Sequence, residues 1–220
     1  PVKDSDSYIH FFILTGLTKL MKMSIFSELN NLNDISFMGK HTDLIGYTQK
    51  EVENNFSDEI AAIAKNQKKS LQHIMQRMKE DYNGFNFGGE NLYNPWDINN
   101  FIKNEQFGNY WSDTGIPSAV SSYVKSNAVN VQKIIEQERD NKLLIDELSL
   151  RVQDLDNLTP EVLFFNAGYL TIREKTDRNE YFLKFPNKET EKRFFSDVVK
   201  IGINWDKENQ KVNVLLKNQT

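Results

Sequence analysis

Chemistry at a protein site needs acids, bases, nucleophiles or metal ligands within reach of one another, and this chain is sparing with them. It has no cysteine and only three histidines, His10, His41 and His73, none at a ligand-like spacing to another. Disulfide scaffolds, zinc fingers, iron–sulfur sites and cysteine nucleophiles are thereby excluded, and a His-based zinc or catalytic centre is not expected. Glu189-Thr190-Glu191-Lys192 contains the Glu-x-Lys spacing with which nucleases hold a metal and a general base. It lacks a paired strand aspartate, so it reads as acidic charge at a helix N-terminus. Glu136, Glu138 and Asp140 read as a solvated face. Gly88-Gly89 has no following lysine and helix to make a phosphate cradle. No phosphate-loop, dinucleotide, nucleophile-elbow, HExxH or calcium-loop pattern occurs elsewhere. Covalent catalysis has no support, and neither a cofactor nor a metal is expected.

Composition frames the fold that must position whatever remains. A chain of 220 residues can bury a sizeable core, and 39% hydrophobic with 12% aromatic residues is not a disordered composition. The net charge is −4 and the 27 basic residues are scattered, whereas nucleic-acid binding calls for a basic stripe. No apolar run approaches the ~18–20 residues of a membrane span. There is no cleavable signal pattern, and the chain opens at Pro1 without a Met, which reads as a fragment of a longer protein.

Periodicity predicts a mainly helical chain with a small β component. Residues 8–15 read as a buried strand, apolar on both faces. Residues 24–32 read as a short amphipathic segment. Thr48-Gln49-Lys50-Glu51 is a capping box that starts a helix with Val52, Phe56, Ile60 and Ile63 on one face. Leu71, Ile74, Met75, Met78 and Tyr82 line a second helix paired with the first. Pro95-Trp96 opens a third, and Val120, Val124, Ala128, Val131 and Ile135 share a further helical face. Leu143 to Leu150 resumes the apolar pattern. Thr159-Pro160 is a helix start with Thr as N-cap, residues 168–173 and 180–185 alternate as a hairpin, and Asn187 caps a last helix. The tail from residue 204 is polar apart from Val212, Val214, Leu215 and Leu216. The whole reads as one helical domain over residues 1–220, with the hairpin near 168–185.

Residues 83–95 form the conspicuous loop. Gly84, Gly88 and Gly89 are interleaved with four asparagines and with Phe85, Phe87 and Tyr93. Two readings stand: a loop tucked onto its own domain, or a recognition loop that offers its aromatics to a partner. Residues 112–117, Ser-Asp-Thr-Gly-Ile-Pro, make a second turn.

Ordered words along the chain resemble one bacterial family. They are Ile13-Leu14-Thr15-Gly16, Ser24-Ile25-Phe26-Ser27 running into Leu29-Asn30-Asn31-Leu32, Gly46-Tyr47-Thr48 and Tyr82-Asn83-Gly84-Phe85. Tyr93-Asn94-Pro95-Trp96, Tyr110-Trp111 with Thr114-Gly115, Gly168-Tyr169-Leu170-Thr171-Ile172 and Phe185-Pro186-Asn187 complete the set. In this order they resemble the bacterial AAA-ATPase-like family. The resemblance implies a helical bundle derived from the C-terminal part of an ATPase-like module. The phosphate loop and acidic strand of that family lie upstream of the Thr15-Gly16 word and are missing here, so ATP binding is not expected.

An ATPase-like module without its nucleotide site is similar to the central region of large deubiquitinase effectors of the Rickettsiales. That resemblance implies guanine nucleotide exchange on a host Rho-family GTPase of the Rac type, after delivery to the host cytosol. Exchange needs no acid or base. It needs tighter binding of the nucleotide-free GTPase through its switch segments. Under this reading Asp113, Thr114 and Gly115 are the residues that compete for the switches. Phe85, Phe87, Tyr93 and Ile116 are the partner-binding anchors, and the exchange factor is a monomer on its own. The alternative is a non-catalytic ATPase-like interaction or scaffold module that has lost ATP binding.

Overall fold

The structure, a computed structural model, describes residues 8–13, 33, 35, 40–111, 117–127, 129–151, 158–199 and 201. Its elements begin where local chemistry says they should. Thr48 Oγ1 accepts from the Glu51 amide at 3.1 Å, and Glu51 Oε2 accepts from the Thr48 amide at 2.8 Å. This reciprocal cap opens α1 (Gln49–Asn55). The single helix predicted through Ile63 is broken at Phe56, whose φ of −126° and ψ of 14° end α1 before α2 (Ser57–Asn66) begins. Phe56 leaves the helical path where its ring meets Tyr47, 5.6 Å away, and Asp58 and Glu59 supply a fresh acidic first turn.

Ser70 caps α3 (Leu71–Tyr82), which buries Ile74, Met78 and Tyr82 but leaves Leu71 half exposed. Asn94 caps α4 (Pro95–Asn104), with proline at its first position. The face expected to run from Val120 to Ile135 is divided between α5 (Ser118–Ser126) and α6 (Val131–Arg139), the latter capped by Asn130. Leu143 to Leu150 is also two elements, β1 (Leu144–Asp146) and α7 (Glu147–Arg151). Thr159 caps α8 (Pro160–Asn166).

The predicted hairpin is present as β2 (Thr171–Lys175) and β3 (Glu180–Lys184), antiparallel with Ile172 opposite Leu183. β1 joins the far side of β3, Leu144 opposite Phe182, giving the order β1-β3-β2. Asn187 then caps α9 (Lys188–Arg193), which runs into a π-helical turn, Phe194–Val199. The chain is therefore mainly helical with a small β component, and among the described residues no helix is long and apolar enough to cross a membrane.

The expected strand at residues 8–15 is not formed over its described part. Residues 8–13 pair with no strand among the described residues, and Tyr8, Phe11 and Ile13 are exposed. A strand apolar on both faces needs hydrogen-bonded neighbours and covered faces, and the described chain offers neither. The segment read at 24–32 and the tail from 204 lie outside the described residues.

The buried apolar residues sort into two clusters. One lies in α1 to α4, around Val52, Ile60, Ile74, Met78, Tyr82 and Phe101. The other lies in α5 onward, around Val124, Ile134, Phe164, Tyr169, Leu183, Phe194 and Val198. Aromatic rings in edge contact run through the second, Phe164 to Phe194 at 5.0 Å and Tyr169 to Phe194 at 5.8 Å.

Candidate functional site

Almost all of the buried polar side chains belong to segments that join the two cores. Asn83, Asn86 and Asp97 come from the first half, and Thr171, Asn187, Glu189, Thr190 and Arg193 from the second. The joints are specific. Thr171 Oγ1 donates to the Asn86 carbonyl at 2.8 Å and accepts from the Asn86 amide. The Ile172 amide donates to the same carbonyl at 3.2 Å. Lys188 on α9 pairs with Glu80 on α3.

Trp111 is the centre of this polar seam. Its amide donates to Asp97 Oδ1 on α4 at 2.8 Å, and its carbonyl accepts from Arg193 Nη1 on α9 at 3.3 Å. One residue thus ties an acid of the first core to a base of the second. Its ring stacks edge-on against Tyr169 at 5.4 Å and lies beneath the Arg193 guanidinium at 5.5 Å. Arg193 also pairs with Asp197, four residues on. The π-helical turn carries Asp197, and wide turns of this kind often occur where a helix serves a site.

Asp97 is 1% exposed and Glu189 2% exposed, so the seam holds two buried carboxylates, one from each core. Burial pushes the Asp97 carboxyl up to about 8, the charge of Glu189 adds to the rise, and the Trp111 amide opposes it. Burial also raises the Tyr169 hydroxyl, with Asp197 adding to the rise and Arg193 opposing it. Tyr82, which donates to the Gly108 carbonyl at 3.0 Å, is raised by burial as well. A carboxyl held neutral near pH 7 is a hydrogen-bond donor and a store for one proton. Among the described residues, no group of three or more acidic or histidine side chains could hold a metal ion.

The residues singled out from the sequence are distributed unevenly about this seam. Asp113, Thr114, Gly115 and Ile116 lie outside the described residues, directly after the Trp111 clamp. Tyr93 is buried, donating its hydroxyl to Gln49 Oε1 at 2.7 Å, and its backbone pairs with Tyr47. It offers no surface to a partner. Phe85 is half-buried and bridges Leu92, while Phe87 lies edge-on to Phe165 at 6.4 Å. The aromatics of the 83–95 loop thus turn onto their own domain.

The sequence alone does not single out Asp97 or Arg193, and it marks Glu189 as acidic charge at a helix N-terminus, where it stands, but not as buried. A faint signal existed. Asp97 stands one helical turn before Phe101 on an inward face, and Glu189, Arg193 and Asp197 repeat every four residues.

No family model matches the chain, and no solved structure does. The chain is 30% identical over 191 residues, 86% of its length, to a protein of Azotobacter chroococcum mcd 1 described as an uncharacterized protein in the vnfD 5′ region. It spans about a third of that relative, 34% of its length.

Proposed function

We propose that the chain is a non-catalytic interaction module of ATPase-like descent, working as one part of a longer polypeptide without binding ATP. The observation that carries this reading is the direction of its polar chemistry. Asp97, Glu189, Arg193 and Thr171 brace one core against the other, as the framework of a rigid docking body would. Titration calorimetry with Mg-ATP is the test. No binding is expected up to millimolar nucleotide, and micromolar binding overturns the reading.

A second reading, guanine nucleotide exchange on a Rac-type GTPase by an effector delivered to the host cytosol, is favoured by one feature. Trp111, two residues before Asp113 in the sequence, has its amide held by Asp97 and its carbonyl held by Arg193. The chain then resembles the exchange region of the Orientia tsutsugamushi deubiquitinase effector. In that case fluorescent GDP leaves a Rac-type GTPase at least tenfold faster with the chain present. Asp113→Ala removes the acceleration without changing the melting temperature. Release at the uncatalysed rate across Rho-family GTPases eliminates this reading and leaves the first.

A further inference from the structure

We infer that the cleft between the ends of α2 and α4 and the middle of α3 is a docking site for an acidic peptide segment of a partner protein, with Arg77 and Lys103 taking its carboxylates. The inference rests on the reading of the chain as an interaction module and adds the chemistry of what that module holds.

The cleft has a volume of about 570 Å3 and shares no residue with the seam. One wall is fixed from within. Glu105 ends α4 with a φ of 54°, in the left-handed region that a residue with a side chain seldom occupies. Its carboxylate accepts from Asn66 Nδ2 at 3.0 Å, and its carbonyl accepts from Gln67 Nε2 at 2.6 Å. The end of α2 is thus pinned to the end of α4.

Arg77 makes the second wall. Its Nε donates to Asp81 at 3.2 Å, and its guanidinium carbon lies 4.0 Å from the centre of the Phe107 ring. Phe107 is itself held by Phe101 at 4.5 Å and Tyr82 at 5.9 Å. A guanidinium laid on a ring and steered by a carboxylate has lost much of its freedom before any ligand arrives. Its terminal nitrogens keep the fork that fits a second carboxylate. Among the described residues those nitrogens meet no acceptor, and the side chains of Lys103, Asn104 and Gln106 have no polar partner.

Charge points the same way. The chain carries a net −4, yet Lys65, Lys68 and Lys69 stand exposed beside the Asn66-Gln67 wall and join Arg77 and Lys103. Glu105, the acid that lines the cleft, and Asp81 beside Arg77 are already engaged, by Asn66 and by Arg77. Lysines in the last turn of a helix also complement its carbonyl end. The α2 carbonyls of residues 63–65 already accept the amides of residues 67–69, however, and Arg77 lies within α3, away from its ends. The free carboxamides favour a peptide, because they both donate to and accept from a backbone, whereas a polyphosphate offers acceptors only.

Amide shifts of the full isotope-labelled chain, followed at low salt during addition of N-acetyl tetraglutamate amide, test the proposal, with the tetraglutamine peptide as control. Saturable shifts at residues 66, 67 and 103–107 are expected with glutamate and not with glutamine. Lys103→Gln should weaken binding about fivefold, and Arg77→Lys, which keeps the charge and loses the fork, about tenfold. Lys103 has no ion-pair partner among the described residues, so its variant keeps the test valid if Arg77→Lys loosens Phe107. Lys133→Gln on α6 should change nothing. The absence of a saturable shift, or binding unaltered in Lys103→Gln, overturns the proposal. Shifts spread over the exposed lysines, Lys133 included, mean counterion attraction only and overturn it as well. Oligothymidylate seated on the same amides more tightly than tetraglutamate does the same, since the cleft would then read phosphate. Mg-ATP calorimetry, which tests the interaction-module reading, uses none of these peptides, so each can fail alone.

Discussion

Replacing Gly84 by alanine is expected to destabilise the protein by about 3 kcal/mol or more and to lower its melting temperature by about 6–12 °C. Gly84 has a φ of +109°, in the region that L side chains avoid. A Cβ built there would stand 2.0 Å from the Pro186 carbonyl oxygen and 2.9 Å from its carbon. Both are backbone atoms, so no side-chain rotation relieves the collision. The Asn83–Gly84 turn and the Pro186–Asn187 approach to α9 would have to separate, and with them the seam. Gly88 provides the control. Its φ is +97°, but a Cβ there meets nothing within 4 Å. Gly88→Ala is expected to cost only backbone strain, about 1 kcal/mol. Urea unfolding of the two variants measures the difference, and equal losses would remove the close approach as the cause.

Arg193→Met should be the most damaging change among the charged residues of the seam, at about 3 kcal/mol. The guanidinium is almost fully buried, pairs with Asp197, donates to the Trp111 carbonyl and covers the Trp111 ring. Methionine preserves much of the apolar stem but leaves Asp197 without its cation and the Trp111 carbonyl without a donor. The lower end of the range for broken buried pairs applies because the Asp197 side chain keeps 20% of its exposure. Adding Asp197→Asn should recover at least half of the loss, since the remaining cost is then packing and one hydrogen bond. Denaturant midpoints of the single and double variants decide it. A double variant as unstable as the single one would mean that the ion pair contributes little and packing contributes most.

The two variants probe places that local patterns did not mark. The Asn83-Gly84 turn was recognised as glycine-rich, yet its partner, Pro186, is about a hundred residues away in the chain. Phe85, Phe87 and Tyr93 were legible as aromatics that must bury, but the surface they bury against is built from Leu92, Tyr47, Gln49 and Phe165. Glu189 was recognised as an acid in the first turn of a helix, where it does stand. Its burial follows from α9 packing on α3, which no local pattern records.

What the amino-acid sequence determined by itself is the set of local beginnings. Thr48 with Glu51, Ser70, Asn94 ahead of Pro95, Thr159 ahead of Pro160, and Asn187 each satisfy backbone amides two or three residues away. The β2–β3 hairpin is equally local, its strands joined by a short turn. Tertiary structure decided the break at Phe56, the addition of Leu144–Asp146 to the sheet, and the absence of a strand partner for residues 8–13 among the described residues. It also decided the seam, because a carboxylate is solvated or buried according to what packs over it. Asp97 meets Trp111 14 residues on, and Arg193 reaches back 82 residues to the same peptide. Such pairings depend on how two finished cores close on each other, and neither core's periodicity contains that information.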